Sequence, residues 1–359
     1  MASFRDARNA LLTAYGSNAI TDEEFVLLYD INCSKNPDFP YWKHEIFELD
    51  NMTDAECLSE FRFYRNDIYR LFDALAIPEE FTSYNRSVFN GIESFCVFLK
   101  RFAYPSRYSD LIPKFGRPVP ELCMMSNTIM DGVYANYGHL LQSFQQAWLA
   151  PDKLESYANA IHNKGAPLDN CWGFIDGTVR PVCRPGEDQR VLYNGHKKVH
   201  SIKFQSVVAP NGLIANLFGP VEGRKHDSSM LALSNLYHAL VQYSIRPNGG
   251  VLCIYGDPAY PLRVQLQSPY SRNAALTPMQ EDYNKSMSKV RSSVEWVFGE
   301  IVNYFAFLDF KKKMKVQLSA VGKMYLVCAL LTNAHTCLYK SNTSQYFDID
   351  PPILEEYFI

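Results

Sequence analysis

Two short runs, CWGFIDGT at 171–178 and GGVLCIYGDPAY at 249–260, drive an apolar stretch directly into an aspartate. Runs this rich in Ile, Val, Leu and aromatic residues read as buried strands, so Asp176 and Asp257 are expected at strand ends beside a low-dielectric core. A carboxylate held there is costly unless a cation or hydrogen bonds offset it. A third run, KVRSSVEWVFGE at 289–300, sets Glu295 on a helix. Three carboxylates drawn from three elements repel one another, and a pair of divalent metals is the commonest relief. The trio is therefore a candidate phosphoryl-transfer site.

The rest of the sequence narrows the setting. An apolar content of 47% over 359 residues excludes a mostly disordered chain and predicts a large core. Nine cysteines, with no CxxC pair and no regular spacing, argue against a disulfide framework or a zinc finger and for reduced thiols. The start, MASFRDARNALL, lacks the uninterrupted apolar core of a secretory signal. Met324 to Tyr339 is shorter than the roughly 20 apolar residues of a spanning helix and contains Asn333 and His335, so a buried helix is expected and no membrane partner.

Net charge is only −3, but it is unevenly spread. Residues 1–60 hold 12 acidic and 4 basic residues, a balance of −8, which leaves +5 for the remainder. Between Arg180 and Lys203 stand Arg184, Arg190, Lys197 and Lys198 with His196 and His200, opposed only by Glu187 and Asp188. A basic strip near an acidic site suits a phosphodiester: cations for the backbone, carboxylates for metals. A solvated charged face is the plainer reading of the same strip.

The chain divides by texture. Residues 1–86 read as an acidic helical region. Residues 87–160 read as a helical unit resembling a helix-turn-helix, with a helix over Gly91–Phe102, a short one over Ser109–Phe115 and a longer one entered through Pro120. The exposed positions of that third helix include Glu121, Asn127 and Asp131, which offer phosphates no cation. Strand signals begin at Asn170: Cys171–Ile175, Val199–Ala209, Leu213–Phe218 after the Asn211-Gly212 turn, and Val251–Tyr255. Helices are expected from Asp227 to about Tyr243, from about Asp282 to the Lys311 cluster, and from Val316 to Leu338. This order predicts a mixed α/β sheet with flanking helices over 165–345, followed by a tail at 346–359.

On the helix around Glu295, Val290, Val294, Val297, Phe298, Ile301 and Phe305 form one apolar stripe, with Ser288, Arg291 and Glu295 on its flank. Glu295 either leans over the sheet end or forms an i,i+4 surface pair with Arg291. Spacing leaves both open. A metal-free glycosidase would need only Asp176 and Asp257, but the basic surroundings argue against it.

The blocks FIDGT at Asp176, YNGHKKVHSIKFQSVV at 193–208, NGLIANLFGPVEGRKHDSSML at 211–231, YGDPAYPLR at Asp257 and TPMQEDYNKSMSKVRSSVEWVFG at 277–299 resemble, in order, those of the Harbinger (PIF/Harbinger) DDE transposases and their domesticated nuclease relatives. The likeness runs over about 165–310, with a looser one through SFCVFLKRFAYPSRYSDLIPKFGR. It implies a ribonuclease H-like fold in which Asp176 ends the first strand, Asp257 ends the fourth and Glu295 comes from a following helix. It also implies that the three hold two Mg²⁺ or Mn²⁺ ions for phosphodiester hydrolysis and strand transfer.

Asp227, in the family's Gly-x-x-His-Asp block, is either an additional acid or a helix N-cap. Lys197, Lys198, His200 and Lys203 fall on the family's basic strand and, with Arg291, are candidates for DNA contact. Tyr260 and Asn284 match family blocks but also fit a role in shaping the loop after Asp257.

The resemblance further implies terminal inverted repeats and target DNA as substrate, and a separate Myb-like DNA-binding protein as partner. The acidic front is a candidate docking surface for such a basic partner. Nuclear localisation follows, with Lys311, Lys312, Lys313 and Lys315 a candidate signal; self-association is a further option. The alternative is a domesticated nuclear DNA- or protein-binding protein that no longer transposes.

Overall fold

The computed structural model describes residues 4–31, 39–83, 86–271 and 275–359. Its front is helical. An antiparallel pair, α1 (Phe4–Gly16) and α2 (Asp22–Ile31), is joined by a stack of Tyr15 on Phe25, with ring centroids 4.5 Å apart. Val26 and Leu27 of α2 remain more than 60% exposed. Next come α3 (Asp54–Phe61) and α4 (Arg65–Ala74), the first opened by a Thr53–Glu56 capping box. A small hairpin of β1 (Glu80–Thr82) and β2 (Val88–Asn90) leads into α5 (Gly91–Ala103), which is buried along most of its length. A short α6 (Ile112–Phe115) ends at Gly116 and is followed by α7 (Val119–Tyr137) and α8 (Pro151–Asn163).

The second half is built on a six-stranded sheet. Its strands are β3 (Cys171–Pro181), β4 (Tyr193–Asn194), β5 (Val199–Val208), β6 (Ile214–Glu222), β7 (Cys253–Tyr255) and β8 (Leu266–Gln267), with a one-turn α9 (Gln189–Leu192) before β4. The β3-β5-β6 meander is antiparallel, and β7 and then β8 add in parallel on the other side of β3. Helices α10 (Asp227–Leu233) and α11 (Leu236–Tyr243) form the crossover to β7, and α12 (Pro278–Tyr304), α13 (Val321–Tyr339), α14 (Asn342–Phe347) and α15 (Leu354–Tyr357) complete the chain. Three antiparallel strands extended by two parallel ones, with flanking helices, make this a ribonuclease H-like fold.

Several boundaries differ from the sequence reading. The helix expected over 227–243 is two helices, because Asn235 adopts a left-handed conformation with φ of 53°. The helix carrying Glu295 starts earlier, at a Thr277–Gln280 capping box with Pro278 in the first turn, and runs for 27 residues. Val290, Val294, Val297, Phe298, Ile301 and Phe305 are all buried, as the stripe requires. The apolar segment 324–339 lies in α13 and is buried over most of its length. No helix among the described residues is long and apolar enough to cross a membrane.

One continuous hydrophobic cluster joins the two halves, running from Leu49 and Phe61 through Phe98 and Trp172 to Val327 and Tyr357. At the seam, Phe102 packs edge-on against Phe307, Phe63 against His335, and Arg62 donates from Nε to the carbonyl of Tyr304 at 3.2 Å.

Candidate active site at the end of the sheet

The alternation of β3 distributes its side chains between two helical layers. Asp176, Thr178 and Arg180 face α12: Asp176 meets Arg291, and Arg180 donates from Nη2 to Thr178 Oγ1 at 2.9 Å and to the carbonyl of Phe298 at 3.4 Å. Gly177 faces α10 instead. A Cβ there would lie 2.7 Å from Asp227 Oδ1, so only glycine admits that carboxylate to the strand. On β5, Gln205 pairs with Gly177 and Lys203 with Val179, which puts both on the α10 side. Gln205 Nε2 reaches Ser234 Oγ at 3.2 Å, and Lys203 Nζ reaches Asp227 Oδ1 at 2.5 Å.

Asp176 does not end its strand, as expected, but is the sixth of eleven residues in β3. The reason lies in the pairing: β7 stops at the Phe174–Tyr255 partners, while β5 supports β3 to Pro181. Asp176 therefore sits where the parallel half of the sheet ends. Asp257 follows β7 after Gly256, whose missing Cβ would otherwise lie 2.7 Å from Ile175 Cγ2 and 2.8 Å from the ring of Tyr260. The two aspartates thus stand side by side at one lip of the sheet.

Burial pushes the Asp176 carboxyl up to about 6, against the pull of Arg291 and the amide of Gly177, with Asp257 and Glu295 adding like-charge repulsion. Burial also raises Asp257, with Asp227 adding to the rise and Arg291 and Lys203 opposing it. Two cations answer the four acids. Arg291 Nη1 donates to Asp176 Oδ2 at 3.1 Å, and its Nη2 lies 3.6 Å from Glu295 Oε1. Lys203 serves Asp227 on the other face.

Tyr260 joins the group. Its hydroxyl is buried without a hydrogen-bond partner among the described residues, and Asp227, Asp176 and Asp257 all raise its pKa beyond the effect of burial. A cavity of about 550 Å³ opens from Asp257 past Tyr255, Tyr270, Asn284 and Ser288 to Arg291. A larger one of about 920 Å³, between α8 and the C-terminal helices, shares no residue with it.

The candidates from sequence are placed as follows. Asp176 and Asp257 come together. Glu295 forms the i,i+4 pair with Arg291 and keeps its side chain 61% exposed, while its charge is felt at Asp176. Among the described residues, no three acidic, histidine or cysteine side chains converge closely enough to hold a metal as they stand. Arg291 bridges two of the acids.

Asp227 is the first residue of α10; the N-cap is His226, and the Asp227 carboxylate engages Lys203 rather than the helix end. Lys203 is buried and turned inward, unlike the exposed phosphate contact expected of it. Lys197 and Lys198 are exposed in the turn between β4 and β5, and His200 packs edge-on against Tyr193 at 5.4 Å. Asn284 holds the loop by bonding the backbone of Tyr270 from both ends, at 2.9 and 3.0 Å. The Lys203–Asp227 pair was missed by the sequence reading. Its signal was the two-residue spacing that places Lys203 on the same face as Gln205, but the partner lies beyond a turn and a further strand.

The donor chemistry fits a divalent cation. The acids offer hard oxygen ligands, two of them desolvated, and the unpartnered Tyr260 hydroxyl provides for an ordered water. Residues 175–333 match the sequence model of the family described as DDE superfamily endonuclease, the family to which Harbinger transposases belong. Searches of curated proteins and of solved structures gave no match.

Proposed function

Because a DDE superfamily endonuclease domain occupies residues 175–333, we propose that this protein is a metal-dependent DNA endonuclease and transposase of the Harbinger type. The observation that supports the reading is that Asp176 lies within the field of Asp257 and Glu295, three acids from three separate elements, with Arg291 paired to Asp176 and Glu295.

Asp176 and Asp257, with Glu295 and Asp227 within reach of the same group, are the residues that would hold two divalent cations, Mg²⁺ or Mn²⁺. When bound, such ions supply Lewis acidity to the phosphoryl oxygens and to the attacking and leaving oxygens. The protein's own part is positional. Tyr260 offers a hydroxyl to an ordered water or phosphate oxygen, and Asn284 fixes the loop that walls the cavity. Lys197 and Lys198 at the hairpin tip are free to meet a DNA backbone outside the cavity.

For the partner and the location, the support is surface chemistry. The −8 balance of residues 1–60 and the exposed Val26 and Leu27 suit a basic, partly apolar partner such as a Myb-like DNA-binding protein. The exposed Lys311, Lys312 and Lys315 suit nuclear import. The second reading, a nuclear binding protein that no longer transposes, draws on one observation: the Arg291 bridge leaves the acids already paired.

A supercoiled-plasmid nicking assay tests the choice. Open-circle product that depends on Mg²⁺ or Mn²⁺ and is lost in Asp257→Asn supports the nuclease. Absence of nicking by the folded protein, with and without a Myb-like partner, rejects it.

A further inference from the structure

Arginine presents five N–H donors in a planar fork that matches carboxylate or phosphate two bonds at a time. Arg117, in the loop just before α7, uses that fork fully, donating from Nε and Nη2 to the two oxygens of Glu93 at 3.0 and 2.8 Å. Arg291 does not. Among the described residues it makes one hydrogen bond, to Asp176 at 3.1 Å, and leans 3.6 Å from Glu295, which belongs to the same helix and is mostly exposed. Arg291 also lines the cavity that begins at Asp257. It therefore lies between two destinations, the acids on one side and the space for a substrate on the other.

We propose that Arg291 is an exchangeable counter-cation. Without metal it neutralises Asp176 and Glu295; when divalent cations take those carboxylates, it turns into the cavity and binds a phosphate of the substrate strand. The inference rests on the metal-dependent nuclease reading and adds a regulation of that site. Metal and DNA bind cooperatively because each favours the same position of one side chain. By linkage, the gain is the same whichever ligand binds first. Two carboxylates held by one arginine also keep the empty site from repelling the DNA that must enter it.

The test measures Mn²⁺ binding to the full-length protein by electron paramagnetic resonance titration, with and without a short phosphorothioate duplex that resists cleavage. For the wild type, the duplex is expected to raise Mn²⁺ affinity about tenfold, within the ordinary range of coupling between sites. Arg291→Gln is expected to bind Mn²⁺ about tenfold more tightly than wild type without the duplex, and to gain almost nothing from adding it. Lys289→Gln removes a nearby exposed charge and controls for long-range effects; it is expected to shift the affinity by less than about twofold, since solvent and salt screen it.

Wild-type Mn²⁺ binding with no gain in Arg291→Gln, or a gain no larger than in Lys289→Gln, overturns the exchange while leaving the nuclease reading intact. Failure of every form to bind Mn²⁺ overturns both. Should Arg291→Gln not fold, Arg291→Lys carries the comparison. Its single ammonium holds one carboxylate at a time, so an intermediate affinity without duplex supports the exchange and an unchanged one rejects it.

Discussion

Two part-buried arginine–carboxylate pairs, one in each half of the molecule, show how the same two groups do different work. Glu93 and Arg117 in the helical half form a two-bond fork with Glu93 almost fully enclosed. Burial pushes the Glu93 carboxyl up and Arg117 pulls it back, and no other acid but Glu121 shares the arginine. At the sheet end Arg291 gives Asp176 a single bond and divides itself between two acids, within the field of a third. The first pair satisfies its partners and fixes α5 against the start of α7. The second, among the described residues, leaves donors unspent and carboxylates crowded, an arrangement that costs stability.

The contrast can be broken at its strongest point by removing one acid. Asp176→Asn is expected to lower nicking by about a thousandfold or more, the scale of losing several kcal/mol of charge stabilisation in the transition state, with little loss of fold because it also relieves repulsion. Near wild-type nicking in Mg²⁺ would remove Asp176 from the chemistry.

Next in size is an acid effect at the seam between the halves, where burial holds His335 neutral with its pKa lowered to about 4. The unfolded chain takes up this proton at about 6.5 and the folded one only near 4, so stability falls as pH drops through that window and levels off below it. The loss is about 3 kcal/mol at order of magnitude. Urea unfolding between pH 7 and 4 should show it, and His335→Phe should flatten that slope.

Arg117→Ala is expected to cost about 2 kcal/mol by stranding Glu93, read as a lower denaturation midpoint with nicking per folded molecule unchanged. A fall in specific nicking would mean that the structural pair also tunes the site. The smallest effect belongs to Lys198→Ala, which should weaken DNA binding slightly and reduce the slope of log affinity against log salt by about one. An unaltered slope would return the hairpin tip to a merely solvated role.

What the sequence made legible was local. CWGFIDGT gave a strand and an aspartate because an apolar run and its polar stop lie within eight residues, and the stripe of α12 could be counted at helical spacing. The ordered blocks carried the ribonuclease H-like fold. The pairings were hidden because they span the chain: Arg291 to Asp176 crosses 115 residues and Lys203 to Asp227 crosses 24 through a turn and a strand. Nothing in their own neighbourhoods distinguishes an arginine that meets DNA from one that meets an acid. The strand end at Asp176 was misjudged for a related reason, since β5 supports β3 past the point where its own apolar run ends.

The seam also sets where the protein can be cut. Because Phe63, Phe102 and Arg62 pack against the sheet-bearing half at His335, Phe307 and Tyr304, a fragment beginning near Asn170 would expose an oily flank it has no means to cover, and aggregation is its natural fate. The α1–α2 pair, by contrast, shares few contacts with the body and can be shortened or fused to a tag at small cost. Anyone preparing material for crystals should trim there and treat the helices from Thr53 onward as the casing of the sheet.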